Sequence, residues 1–141
     1  MTISVHFVDI IATDPAESLV FYRDALGLDV LNDVAYDGHH WITMGVAGEP
    51  GSQIVISDPY AGRPQADGDA LAALVAKGTL PGVVFSTDDV DGLFERVRAF
   101  GAEVLQEPID QFYGSRDCAF RDPAGNMVKI QQWGVAAAQT A

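Results

Sequence analysis

Tyr113–Trp133, YGSRDCAFRDPAGNMVKIQQW, reads as a strand, a tight turn and a second strand. Arg116 to Asp122 mixes β-favouring residues with polar ones, the composition of a half-buried strand. Asp122-Pro123-Ala124-Gly125-Asn126 is the turn: Pro123 pre-sets φ at the second position, and Gly125 or Asn126 accepts φ > 0. Met127 to Gln132 then alternates, with Val128 and Ile130 on one side and Met127, Lys129 and Gln131 on the other. One face therefore belongs to a core. The face carrying Lys129 opens on water or a cavity.

Upstream of this hairpin the same order of signals occurs twice. Ile3–Ala12 is a mostly apolar strand, followed by Asp14 (or Thr13) as helix cap, Pro15 at the first helical position and Glu17 completing a capping box. Leu19, Tyr22 and Leu26 make the helix stripe, and Gly27 ends it. Strands follow at Leu28–Val34, His40–Gly45 after an Asp37-Gly38 turn, and Gln53–Ser57. Pro59–Gly68 reads as a linker and Asp69–Lys77 as a short helix. The pattern then restarts with a strand at Gly82–Thr87. Asp88 is read as the cap of a helix carrying Leu93, Val97 and Phe100, Gly101 as its end, and Ala102–Gln106 as a strand.

Ile10–Leu31 lies on Val84–Leu105 without a gap. Thr13, Asp14, Leu19, Ala25, Gly27, Val30 and Leu31 meet Thr87, Asp88, Leu93, Ala99, Gly101, Val104 and Leu105. Such a repeat has to be placed before a fold is named. The expected fold class is α+β: two tandem βαβββ modules forming one curved, mixed eight-stranded sheet around a cleft. Residues 1–58 form the first module, 59–79 a linker with a short helix, 80–133 the second module, and 134–141 a flexible tail.

Composition narrows the function classes. The chain has 141 residues, 48% of them hydrophobic, enough for one core. No apolar run reaches the roughly 18 residues of a membrane span, and no signal peptide is read at the N-terminus. Cys118 stands alone, so no internal disulfide forms, and it is read as a small buried strand residue. A net charge of −12 repels phosphate backbones and anionic membrane surfaces, which argues against nucleic-acid and membrane partners. A cytoplasmic location is expected. Nucleophile-elbow, phosphate-loop, HExxH and CxxC patterns are absent.

The element order, FYRDALG at Phe21–Gly27 and YGSRDCAFRDPAGN at Tyr113–Asn126 resemble the vicinal oxygen chelate superfamily. That group includes glyoxalases, extradiol dioxygenases and bleomycin-resistance proteins. The resemblance covers about residues 3–133; it is specific for the fold and weak for the activity. It implies a homodimer. It also implies four positions at which metal-dependent relatives carry His, Gln or Glu. Here they hold Phe7, Val55, Gly82 and Lys129. Three of these side chains lack a lone pair and the fourth is a cation, so no metal and no other cofactor is expected.

Strand alternation then supplies the rest of the cleft. Phe7 shares its face with Asp9 and Ile11, Gly82 with Val84 and Ser86, and Lys129 with Gln131 and Trp133. Trp41 and Thr43 are the inward pair of the third strand. Gly82 is read as leaving room for a ligand. Asp9 and Lys129 either pair across the strands or meet the ligand. Trp41 and Trp133 are core or interface residues, or stacking platforms. Tyr113 and Arg116, at a loop-to-strand corner, either brace the turn or clamp a carboxylate or phenolate. His39 and His40 are read as a solvated hairpin pair, and His6 as packed towards the helix.

The sequence therefore points to a metal-free cleft binding a small apolar or aromatic organic molecule, in the manner of a sequestering or resistance protein. The alternative is an enzyme. It would be a metal-dependent lyase or dioxygenase with an atypical site drawn from His6, His39 or His40, or a metal-free isomerase or cyclase. In the last case Asp9 is the base and Lys129 stabilises an enolate.

Overall fold

The computed structural model describes residues 1–49 and 51–134. Each half is a βαβββ module. The first holds β1 (Phe7–Ile11), α1 (Pro15–Val20), β2 (Asp29–Tyr36), β3 (His39–Gly45) and β4 (Gln53–Ser57). The second holds β5 (Val83–Ser86), α3 (Val90–Phe100), β6 (Glu103–Asp110), β7 (Ser115–Arg121) and β8 (Met127–Trp133), with α2 (Gln65–Ala76) between the halves. The expected α+β architecture and eight strands are present. The tail expected from residue 134 onward lies, beyond Gly134, outside the described residues.

The strands form two four-stranded sheets, β1-β4-β3-β2 and β5-β8-β7-β6, rather than one hydrogen-bonded sheet. In each, the first strand pairs in parallel with the last and the others are antiparallel. At the end of β1 the Ile11 carbonyl accepts from Asn126 Nδ2 of the second half, at 2.8 Å. Helices α1 and α3 cover one side of the sheets. Ile10, Ala12, Ile42, Met44, Ile54, Ile56, Cys118, Phe120, Val128 and Ile130 point to that side and join Phe21, Tyr22, Val90, Phe94 and Val97 in one continuous core. Cys118 is fully buried there, as expected, and burial pushes its thiol up to about 12.

Local chemistry adjusts several boundaries. Asp14 caps α1 as read, its Oδ1 accepting from Glu17 N at 3.2 Å. After Val20 the helix widens into a π-turn over Phe21–Ala25. In the second half the cap moves one residue, from Asp88 to Asp89, whose Oδ1 accepts from Gly92 N at 3.0 Å. Thr87 Oγ1 accepts from Asp89 N and turns the chain, so Asp88 is left in the bend. The expected linker is shorter than read, because α2 begins at Gln65 and takes in Gly68. Gly68 hid the helix in the sequence; it is there because Tyr60 packs its ring where a Cβ would project. Asp37 and Gly38, both at positive φ (51° and 77°), make the β2–β3 hairpin turn.

The two halves are tied at the Asp122–Asn126 turn. Asp122 is buried, and its Oδ1 accepts from the backbone N–H groups of Ala124, Gly125 and Asn126 at 3.0, 3.0 and 2.8 Å. Its Oδ2 accepts from Tyr22 Oη at 2.7 Å and from Asn126 Nδ2 at 3.1 Å. Tyr22 comes from the first half and is fully buried. Burial, then the charge of Asp122, hold its phenol well above its ordinary value. Phe21 and Phe100 meet edge-to-face at 6.1 Å, and Arg96 Nη2 donates to the Asp24 carbonyl at 3.0 Å, adding two contacts between the helices.

Removing the phenol oxygen should strip Asp122 of its only donor from the first half's helix. Tyr22→Phe is expected to cost about 2 kcal/mol, the usual value for a buried hydrogen bond to a charged group, read as a lower midpoint in urea with an unchanged slope. Asn126→Ala should cost more, since it also orphans the Ile11 carbonyl. A neutral Tyr22→Phe would show that the halves are held by apolar packing alone.

Candidate functional site: the open face of the two sheets

The sheet faces turned away from the helices carry most of the residues singled out in the sequence. Phe7, Asp9 and Ile11 alternate with the core residues of β1, Trp41 and Thr43 with those of β3, and Val55 with those of β4. Asp9 lies opposite Val55, and Phe7 opposite Gln53. On the second sheet Val84 lies opposite Lys129, and Asp117 opposite Gln131. Phe7, Val84 and Trp133 are 46%, 52% and 51% exposed, high values for large apolar side chains. Between the edges of β1 and β5 runs a groove of about 470 Å³, lined by Asp9, Ile11, Pro81, Gly82, Val84 and Asn126 among others.

The polar centre of this face is not the expected pair. Lys129 does not reach Asp9; its Nζ lies 3.1 Å from Asp117 Oδ2 on the neighbouring strand. Strand order is the reason: Lys129 and Asp117 share the β7–β8 hairpin, whereas Asp9 belongs to the other sheet. Asp117 is fully buried yet charged, and its oxygens are well supplied. Oδ1 accepts from Gln106 Nε2 at 2.7 Å and Gln111 Nε2 at 2.9 Å, and Oδ2 from Tyr113 Oη at 3.3 Å. Burial pushes its carboxyl up, but the two glutamine amides and Lys129 together bring it below the usual value. Lys129 also donates to Tyr113 Oη at 3.3 Å and lies 5.9 Å from that ring's centre; its hydrogen bonds to Tyr113 and then Asp117 hold its ammonium above the ordinary lysine value.

Other expectations change with the geometry. Arg116 shares its face with Cys118 and Phe120, on the helix side, and binds Asp91 at 2.9 Å and Asp110 at 3.2 Å. It therefore braces β7 against α3 and does not join Tyr113. Gly82 leaves no free space: a Cβ there would collide with the Met127 carbonyl, so the missing side chain admits β8. Trp41 is half-buried and packs edge-on to His39. His39 Nδ1 is tied to Asp58 Oδ2 at 2.8 Å, and His40 lies 3.9 Å from Asp33. His6 is exposed ahead of β1, at the opposite end of the sheet from His39, and does not pack towards the helix. Among the described residues no three His, Cys, Asp or Glu side chains converge as a metal site would need.

A divalent cation does not fit this face. Phe7, Val55 and Gly82 offer no donor atom. The fourth position presents an ammonium already paired with the nearest carboxylate. Gln106, Gln111 and Asp117 went unrecognised in the sequence. Asp117 could have been found by counting outward from the turn. Arg121 faces Met127, so Ala119 faces Lys129 and Asp117 stands one pair further along. The glutamines carry no such signal, because β6 slips register against β7 twice.

The linkage has a sign. Asp117's depressed carboxyl contributes stability that is complete above the unfolded value of about 4 and is lost as pH falls through its lower folded value. Lys129's raised value contributes at neutral pH and is lost only in strong alkali, as pH rises through that folded value. Asp117→Asn is expected to cost about 3 kcal/mol at pH 7, since it strands the ammonium. It should also flatten the acid limb of the stability profile, measured by urea midpoints from pH 3 to pH 7. An unchanged acid limb would show that other carboxylates govern it.

Comparison with known proteins follows this geometry. Residues 4–130 match the family model of the Glyoxalase/Bleomycin resistance protein/Dioxygenase superfamily. The anthracycline biosynthesis protein DnrV of Streptomyces peucetius is 32% identical over 132 residues, 90% of this chain. This chain spans 46% of the length of DnrV. The crystal structure of UcmS2 superposes with a TM-score of 0.82 at 28% identity, covering 93% of this chain and 98% of that one. TnmS3, an antibiotic binding protein from Streptomyces sp. CB03234, gives 0.73 at 27% identity, covering 95% and 99%. No described helix is long and apolar enough to cross a membrane. The chain belongs to the Glyoxalase/Bleomycin resistance protein/Dioxygenase superfamily.

Proposed function

We propose that this chain binds a small, largely apolar or aromatic organic molecule on the open face of its sheets, without a metal ion and without changing its bonds. The observation that carries the reading is the make-up of that face. Phe7, Trp41 and Val55 on the first sheet and Val84 and Trp133 on the second share that face with the Lys129–Asp117 pair. Apolar walls with few, fixed polar groups are the usual make-up of a small-molecule site. Likeness to an antibiotic binding protein and to an anthracycline biosynthesis protein supports an aromatic natural product as the ligand. The protein on this reading is a cytoplasmic homodimer. Phe7, Val84, Phe112 and Trp133 are too exposed in one chain to bury a ligand unaided, and a second copy would cover them.

The enzymatic alternatives draw less support from the geometry. Asp9 and Lys129 are on different sheets and are not partners. The three histidines are split between the ends of the first sheet and bound to local acids or exposed.

Both tryptophans, Trp41 and Trp133, belong to the proposed face, so their fluorescence reports on it directly. Titration with an anthracycline is expected to quench them saturably, with a Kd in the micromolar range or tighter. Val84→Asp, at a position 52% exposed and therefore tolerant in the fold, should weaken binding tenfold or more, about 1.4 kcal/mol. Unsaturable quenching, or equal affinity in Val84→Asp, would overturn the reading.

A further inference from the structure

The Lys129 ammonium has three N–H donors. Asp117 Oδ2 takes one at 3.1 Å and Tyr113 Oη takes another at 3.3 Å. The side chain is 27% exposed, which leaves the remaining donor to the open face of the second sheet. Several neighbouring polar groups are engaged. Because Tyr113 Oη accepts from Lys129, its own proton is directed to Asp117 Oδ2, 3.3 Å away. Both Asp117 oxygens are engaged, with Gln106 and Gln111 on the other one. Gln131 Nε2 donates to Ser86 Oγ at 3.3 Å. Among the described residues the open face of the second sheet therefore offers one cationic N–H, that of Lys129, beside the second, neutral N–H of the Gln131 amide.

What can use a single cationic donor is restricted. Carboxylates and phosphates are bound best by a charged fork, and Arg116, which would supply one, is turned to the helix side and bound to Asp91 and Asp110. A cationic ligand would meet the ammonium head-on. A single oxygen that gains from a positive neighbour fits. The surroundings fix what carries that oxygen: Tyr113 and Trp133, 45% and 51% exposed, stand with ring centres 6.1 Å apart and tilted by 50°. Phe112 extends the same aromatic row, 5.2 Å from Tyr113.

We propose that the molecule bound here carries an acidic phenol or enol on a planar ring system, and that Lys129 receives that oxygen in its ionised form while the ring lies against Tyr113 and Trp133. This rests on the organic-ligand reading above and adds the chemical class of the ligand. The proton released on ionisation goes to solvent, since the nearby carboxylate is already saturated with donors. Asp117 acts on the ligand only through Lys129, by fixing where its ammonium sits; it is a positioning residue.

Alizarin tests this, because its visible absorption moves to longer wavelength when a ring hydroxyl ionises. With the wild-type protein the ionised spectrum is expected at a pH at least one unit below that of free alizarin, a tenfold or greater preference for the phenolate. Lys129→Met should still bind the ring but leave the ionisation where it is in free dye. Alizarin with both hydroxyls methylated should bind wild type and Lys129→Met alike. Tyr113→Phe keeps the ammonium and must keep the shift. Where Lys129→Met fails to fold, Lys129→Gln carries the same comparison. Bound alizarin with an unshifted ionisation, or an equal shift in the lysine variants, would overturn the assignment while leaving the binding reading intact. Binding of neither dye to wild type would overturn both.

Discussion

One buried carboxylate holds this molecule together. Asp122 takes three backbone N–H groups from its own turn, one amide from Asn126 and the hydroxyl of Tyr22 from the other half of the chain. A buried charge is tolerated only when it is this fully bonded, and the same bonding makes it selective, since a carboxylate so saturated accepts one arrangement of neighbours. Asn126 adds the other half of the constraint by claiming the Ile11 carbonyl. Asn126 also lines the groove that runs between the edges of β1 and β5.

A second buried carboxylate repeats the logic for a different purpose. Asp117 is as enclosed as Asp122, but one of its donors is a lysine that remains partly open to the cleft. Its effect is to anchor a cation at the centre of an apolar surface. In metal-dependent members of the superfamily, as the sequence resemblance implies, that centre is occupied by an ion. Here an ammonium on a short tether stands at one of the ligand positions, and the other three have no donor. The charge is kept, but it offers a hydrogen bond in place of open coordination sites. Such a surface suits holding a molecule better than polarising two of its oxygens at once.

Much of this was legible in the chain. The seven repeated residues between Ile10–Leu31 and Val84–Leu105 imply two modules, and period-two alternation separates core from cleft on β1, β3, β5 and β8. What alternation does not give is which strand lies beside which. Lys129 could be matched with Asp9 only by guessing a contact between sheets; the true partner follows from hairpin register, which the Asp122–Asn126 turn fixes. Arg116 failed for a related reason: it is adjacent in sequence to Asp117 and therefore on the opposite face. Gly68 was read as linker because glycine is a poor helix former, and only the position of the Tyr60 ring explains its presence in α2. Asp88 lost the cap to Asp89 by a single residue, a difference set by the Thr87 hydroxyl.

On the reading proposed above, an organic molecule is held here by apolar surface and one lysine ammonium, with no metal ion taking part. Isothermal titration of an anthracycline into the protein, before and after exhaustive treatment with EDTA, tests it most directly. The account expects the same affinity and stoichiometry in both titrations, and no recovery or gain on adding back Zn²⁺, Ni²⁺ or Mn²⁺. Loss of binding after chelation, restored by one of these ions, would contradict it and return the cleft to metal chemistry.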